Sequence, residues 1–306
     1  MKTNLSSQIS LHRVSPRYYR PENAFEKSVL TRLEKIPTDI YESVEEGANY
    51  IAREIAQTIR EKQKAGRFCV LALPGGNSPS HVYQELIRMH KEEGLSFRNV
   101  IVFNMYEYYP LSSDAINSNF NALKEMLLDH IDIDKQNIFT PDGTIAKDTI
   151  FEYCRLYEQR IESFGGIDIA LLGIGRVGNI AFNEPGSSLT SRTRQKTLTT
   201  DTIIANSRFF DNDINKVPKT ALTVGVGTVL SAKEVMIIVN GHNKARALYH
   251  AVEGSITQMW TISALQMHEK GIIVCDDAAT AELKVGTYRY FKDIESAHLD
   301  PESLIK

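Results

Sequence analysis

Two glycine-bearing segments and one cationic, hydroxyl-rich run are the places where this sequence could do chemistry. Gly75-Gly76-Asn77-Ser78 lies between an apolar run, Phe68 to Leu73, and a helical pattern. Bare glycine backbone entering a helix presents N–H groups to an anion, and Ser78 adds a hydroxyl. An ordinary tight strand-to-helix turn would show the same pattern. Gly173-Ile174-Gly175-Arg176-Val177-Gly178 satisfies the dinucleotide fingerprint G-x-G-x-x-G. That fingerprint needs a full helix behind the last glycine and an acidic strand end about 20 residues on. Here Pro185 follows and the chain beyond it is rich in Ser, Thr and Arg, so a nicotinamide or flavin site is disfavoured. Ser187, Ser188, Ser191, Arg192, Thr193, Arg194, Lys196 and Thr197 then crowd hydroxyls and cations into one stretch. Such donors suit a phosphate, and a solvated polar loop has the same composition. Arg208, in Asn206-Ser207-Arg208-Phe209-Phe210, and Lys244, after Gly241, each read alone as surface cations.

Elements able to position these residues follow from periodicity. Val44, Ala48, Ile51, Ala52, Ile55 and Ile59 recur at helical spacing behind a Ser43/Glu46 capping box, and Gly66 stops that helix. Phe68 to Leu73, Val100 to Met105, Ile167 to Leu172, Val235 to Val239 and Ile272 to Cys275 read as buried strands. Helices are expected over Val82 to Met89 and around Phe120 to Leu128, Lys244 to Val252 and Ala279 to Tyr290. Strands alternating with helices predict an α/β fold, a Rossmann-like, doubly wound, mostly parallel sheet. Residues 1–42, punctuated by Pro16, Pro21 and Pro37, are expected to be an N-terminal arm, docked through Tyr18 and Tyr19, on a single domain spanning 43–306.

Composition narrows the function classes. The chain has 306 residues, 42% hydrophobic and 24% charged, which excludes disorder or low complexity as a description of the whole. A net charge of -3 and a pI near 6.3 supply no basic footprint for nucleic acid or an anionic membrane. Cys69, Cys154 and Cys275 show neither zinc spacing nor a disulfide framework and read as reduced thiols of a cytoplasmic protein. The longest apolar runs are strand-sized, and no signal-peptide core is read at the N-terminus.

Longer motifs add a resemblance. Phe103-Asn104-Met105 with Glu107-Tyr108, Ile180-Ala181-Phe182-Asn183-Glu184-Pro185, Ser191-Arg192-Thr193-Arg194, Ala205-Asn206-Ser207-Arg208-Phe209-Phe210 and Met259-Trp260-Thr261-Ile262-Ser263 resemble the glucosamine-6-phosphate deaminase family. The resemblance runs from about Ser43 to the C-terminus and is closest beyond Ile180. It implies a Rossmann-like fold, homo-oligomers up to hexamers, and no organic cofactor or metal. The implied reaction turns glucosamine 6-phosphate and water into fructose 6-phosphate and ammonia, in amino-sugar catabolism. By the same resemblance Gly75, Gly76, Asn77 and Ser78 bind the substrate phosphate with Arg208 and Lys244. Glu184 belongs to the acid–base group, and Ser187, Arg194, Lys196 and Thr197 match an allosteric site for N-acetylglucosamine 6-phosphate.

Departures from that family pattern fall on the chemistry. Tyr106 stands where the family has the aspartate that takes the C2 proton. Gly175-Arg176-Val177-Gly178-Asn179 stands where the family reads Gly-Asn-Asp-Gly-His, so Val177 replaces a second aspartate and Asn179 the ring-opening histidine. A neutral tyrosine is a poor base, valine exchanges no proton, and asparagine does not titrate. One acid–base group typically contributes on the order of 10²–10⁴ in rate, so weak or lost turnover is expected. Glu107 is not expected to substitute, because adjacent strand residues face opposite sides. The alternatives are an active deaminase with an unusual acid–base set, and a non-catalytic sugar-phosphate binder acting as regulator or as subunit of a mixed oligomer. A 6-phosphogluconolactonase is disfavoured by the second-half motifs.

Overall fold

The computed structural model describes residues 36–295. In chain order its strands and α-helices are β1 (Thr38–Tyr41), α1 (Val44–Lys64), β2 (Cys69–Leu73), α2 (Ser80–Glu93), β3 (Val100–Asn104), β4 (Tyr106–Tyr109), α3 (Asn119–Met126), β5 (Ile138–Phe139), α4 (Ile150–Ser163), β6 (Ile169–Gly173), β7 (Arg194–Thr197), α5 (Thr200–Asn206), β8 (Thr220–Thr223), α6 (Val226–Leu230), β9 (Glu234–Val239), α7 (Ala245–Val252), β10 (Gly271–Asp276) and α8 (Val285–Arg289). The capping expected at α1 is present: Ser43 Oγ accepts the Glu46 N–H at 3.2 Å. Gly66, with φ +64°, ends the helix in a conformation that favours glycine.

Seven parallel strands form the main sheet in the order β1-β10-β9-β6-β2-β3-β5. Its strands are apolar almost throughout because both faces are covered. Val70, Ala72, Ile101, Phe103, Ala170, Leu172, Val235 and Ile237 point to one face, where α4, α6 and α7 contribute Tyr157, Ile161, Val226, Val229, Ala247 and Leu248. Leu71, Leu73, Val100, Val102, Ile169, Leu171, Met236 and Ile238 point to the other, beneath Ile51, Ile55, Val82, Leu86 and Leu123 of α1, α2 and α3. The α/β, doubly wound parallel architecture read from the sequence is therefore the one observed. Strand order runs outward in two directions from the β2–β6 pair, the point at which open α/β sheets hold ligands beyond their carboxyl ends.

A small antiparallel sheet, β4-β8-β7, stands beside these strand ends. Tyr106 and Arg194 flank Thr223 in its register. This sheet, helix α4 and the edge strands β1 and β5 were not anticipated. Thr38–Tyr41 pairs with β10 although the sequence reading left it inside the arm. Residues 1–35, with Tyr18 and Tyr19, lie outside the described residues. The single helix expected over Ala279 to Tyr290 is instead a short turn, Asp277–Thr280, followed by α8. Asp276 accepts from the Ala279 N–H and Thr280 Oγ1 donates to the Asp277 carbonyl, local bonds that compete with helix propagation. No helix among the described residues is long and apolar enough to cross a membrane.

Candidate functional site

Both glycine segments arrive at the β2–β6 switch point. The β2 loop is fixed at its start by the Tyr83 hydroxyl, which donates to the Pro74 carbonyl at 2.7 Å. Gly75 lies against the first residue of α3: a Cβ there would stand 1.8 Å from the Asn119 carbonyl oxygen. Ser78 packs onto the bare backbone of Gly173, where a Cβ would sit 2.6 Å from its Oγ. The absence of side chains at Gly75 and Gly173 therefore lets the two loops close on each other. Gly76 and Asn77 lie at the accessible lip.

The β6 loop forms a tight turn. Gly178 N donates to Gly175 O at 3.0 Å and Gly175 N to Asn179 O at 2.9 Å, which leaves Arg176 and Val177 as its two central residues. Asn179 folds back over Gly175 and its Nδ2 donates to the Ala181 carbonyl, so its amide is engaged in holding the turn. Gly178, at φ +68°, abuts Trp260 so closely that a Cβ would stand 2.3 Å from the indole. Lys244 comes in from the end of β9, and its Nζ donates to the Ile174 carbonyl at 2.7 Å. Burial first, and then the charges of Arg208 and Arg176, hold the Lys244 ammonium down to about 8. Arg208 is exposed, with its guanidinium 4.7 Å above the Phe209 ring. Lys244 thus joins the β6 loop, and the charge of Arg208 acts on it.

Tyr106 turns its hydroxyl toward the β2 loop, 3.3 Å from where a Gly76 Cβ would be, and its ring packs edge-on against Phe182 at 4.7 Å. Burial, reinforced by the Glu107 charge, pushes the phenol further above its ordinary range, so it holds its proton. Glu107 faces the other way. Its Oε1 accepts from the N–H groups of Tyr108 and Asn119 and its Oε2 from that of Phe120. Burial raises this carboxyl and those N–H bonds pull it back. Glu107 anchors the start of α3 and offers no free oxygen for proton transfer.

Glu184 is a contrasting carboxylate. It is buried; Oε2 accepts from Thr199 Oγ1 at 3.1 Å, while Oε1 has no hydrogen-bond partner. Around it gather the residues of the cationic run. Arg194 Nη1 donates to Asn183 Oδ1 at 2.9 Å, whereas Arg194 Nη2 and Ser187 Oγ are buried without a partner. Burial lowers the Arg194 guanidinium. It also lowers Lys196, aided by the Arg194 charge and opposed by Glu184. Thr197 lies exposed at the end of β7. Sequence reasoning missed Thr199 and Asn183, which hold Glu184 and Arg194, and gave Arg176 no role. Among the described residues no group of His, Cys, Asp and Glu is arranged to hold a metal ion.

Comparison with known proteins decides the lineage. The sequence profile of the glucosamine-6-phosphate isomerases/6-phosphogluconolactonase family matches residues 42–274. The chain belongs to this family. It is 66% identical over 267 residues to a glucosamine-6-phosphate deaminase of Bacteroides thetaiotaomicron, covering 87% of this chain and 97% of that protein. A glucosamine-6-phosphate deaminase-like protein of the same organism is 75% identical over 283 residues, 92% of this chain, but the chain spans only 42% of that relative's length. A solved monomeric glucosamine-6-phosphate deaminase superposes with a TM-score of 0.76 at 40% identity, over 80% of this chain and 98% of its own. A 6-phosphogluconolactonase from Trypanosoma brucei, 19% identical with a TM-score of 0.64 over 82% of this chain and 100% of its own, shares the fold.

Proposed function

We propose that this chain binds a hexose 6-phosphate of the amino-sugar class at the β2–β6 switch point, and that its turnover of glucosamine 6-phosphate to fructose 6-phosphate and ammonia is weak or lost. The observation that carries this reading is the split within one crevice. Gly75 to Ser78, Arg208 and Lys244 converge as an anion cradle, whereas Tyr106, Val177 and Asn179 offer no group that can accept a proton at neutral pH. The deaminase relatives supply the substrate class. Of the four acid–base positions that the resemblance gives, Glu184 alone keeps a carboxylate.

The buried, unpartnered Ser187 Oγ and Arg194 Nη2 support a second site. With Lys196 and Thr197 they would receive the phosphate of N-acetylglucosamine 6-phosphate, consistent with a regulatory role in a homo- or mixed oligomer in the cytoplasm. Buried polar groups without a protein partner are groups that a bound ligand or a water would satisfy.

The test pairs a melting curve with an ammonia assay. Millimolar glucosamine 6-phosphate should raise the melting temperature, as a ligand of the folded state must. Ammonia release should fall at least roughly 100-fold below that of the 66% identical deaminase assayed alongside. An unchanged melting temperature overturns the binding; equal ammonia release overturns the loss of chemistry.

A further inference from the structure

Lys244 Nζ is bonded to the Ile174 carbonyl at the root of the turn that carries Arg176, and the charges of Arg208 and Arg176 act on it. Arg176 sits at the exposed tip of the Gly175–Gly178 turn, two residues beyond the carbonyl that anchors Lys244 Nζ. That turn is closed by its own backbone hydrogen bonds, is backed by Trp260 at Gly178, and is braced by Asn179 over Gly175. The guanidinium therefore projects from a fixed base. None of the three cations pairs with a carboxylate among the described residues.

Charge counting makes this arrangement informative. A phosphate monoester carries about -1.5 to -2 at neutral pH, less than three cations can neutralise. Neither Tyr106 nor Val177 is a carboxylate that would attract an ammonium, and Arg176 adds a guanidinium beside Val177. A guanidinium fork matches a carboxylate or phosphate in a bidentate manner and repels an amine cation.

We propose that Arg176 makes the crevice selective for a sugar phosphate bearing a second anionic group, a carboxylate or a second phosphate, over one bearing an amine. This rests on the phosphate-binding part of the reading above and replaces its amino-sugar class with an anionic one. The surplus positive charge is the recognition element, and Arg176 is its specificity-determining residue.

Calorimetric titration of the full chain tests it with glucose 6-phosphate, glucosamine 6-phosphate, 6-phosphogluconate and glucose 1,6-bisphosphate. One of the last two should bind roughly ten- to a hundredfold more tightly than glucose 6-phosphate, and which one does so tells carboxylate from phosphate. Glucosamine 6-phosphate should bind more weakly than either. In Arg176→Asn, which installs the family residue, the advantage should collapse to about twofold while glucose 6-phosphate still binds. Equal affinity for all four ligands, or an advantage that survives Arg176→Asn, overturns the inference and leaves the phosphate cradle standing. Failure of every ligand to bind overturns both.

Discussion

The two ends of the crevice have been built to different tolerances. At the proposed phosphate end, binding would be shared among loop backbone N–H groups, a hydroxyl and cations from separate loops. No one of these needs a particular pKa. At the Tyr106–Val177–Asn179 end, the deaminase chemistry would need specific titratable groups, and neutral side chains fill those places without disturbing the fold. Tyr106 packs on Phe182, and Asn179 braces its own turn. On the proposed reading, anion binding and proton transfer are separable: the first would belong to loops and the second to individual side chains.

The strongest way to break the comparison is to reinstate the proton end. Tyr106→Asp, Val177→Asp and Asn179→His together should raise ammonia release from glucosamine 6-phosphate by on the order of 10²–10⁴. Each change alone should do little, because such groups act as a unit. A folded triple variant with unchanged turnover would mean that these positions are not what separates the two ends.

Arg194→Ala probes anion binding away from the crevice. It removes a half-buried guanidinium worth about 1.5–3 kcal/mol in charge-assisted bonds, so affinity for N-acetylglucosamine 6-phosphate should fall roughly ten- to a hundredfold. Glucosamine 6-phosphate affinity at Lys244 and Arg208 should stay put. Equal titrations of N-acetylglucosamine 6-phosphate into variant and parent would remove Ser187 to Thr197 from the list of binding sites.

A smaller effect sharpens the phosphate end. In the free protein Lys244 is held down to about 8 by burial and by Arg208 and Arg176. A phosphate beside it favours the charged form. Below pH 8 the ammonium is already charged and affinity is flat. Above pH 8 binding must first take up a proton, so affinity falls as pH rises. From pH 7 to 9 the loss is roughly tenfold, read by titration in matched salt. Lys244→Arg should flatten that profile, since a guanidinium stays charged throughout.

The main sheet was legible because its strands, buried on both faces, are unbroken apolar runs, and α1 because its stripe begins at a serine cap. The antiparallel sheet was hidden for the opposite reason. Arg194–Thr197 is a polar strand and Tyr106–Tyr109 follows β3 without a turn residue between, so neither shows alternation. Helix α4 did carry a signal, since Ile150, Cys154, Tyr157 and Ile161 fall at helical spacing. Thr38–Tyr41 is too short to declare itself. At the site, glycines and cations could be named, and Glu107 does turn away from Tyr106 as expected, toward the start of α3. Arg176 escaped because its meaning is geometric: only the folded β6 turn brings its charge to bear on Lys244.

Glu107 has a reach beyond α3. It grips the Asn119 N–H, and the Asn119 carbonyl is the surface on which Gly75 rests. The β2 loop, the proposed phosphate binder, is therefore seated on a buttress built into the fold. A loop already in its binding shape loses little conformational entropy on capture. Encounter is then governed by diffusion and charge rather than by a closing motion, and differences among ligands appear in how long each stays.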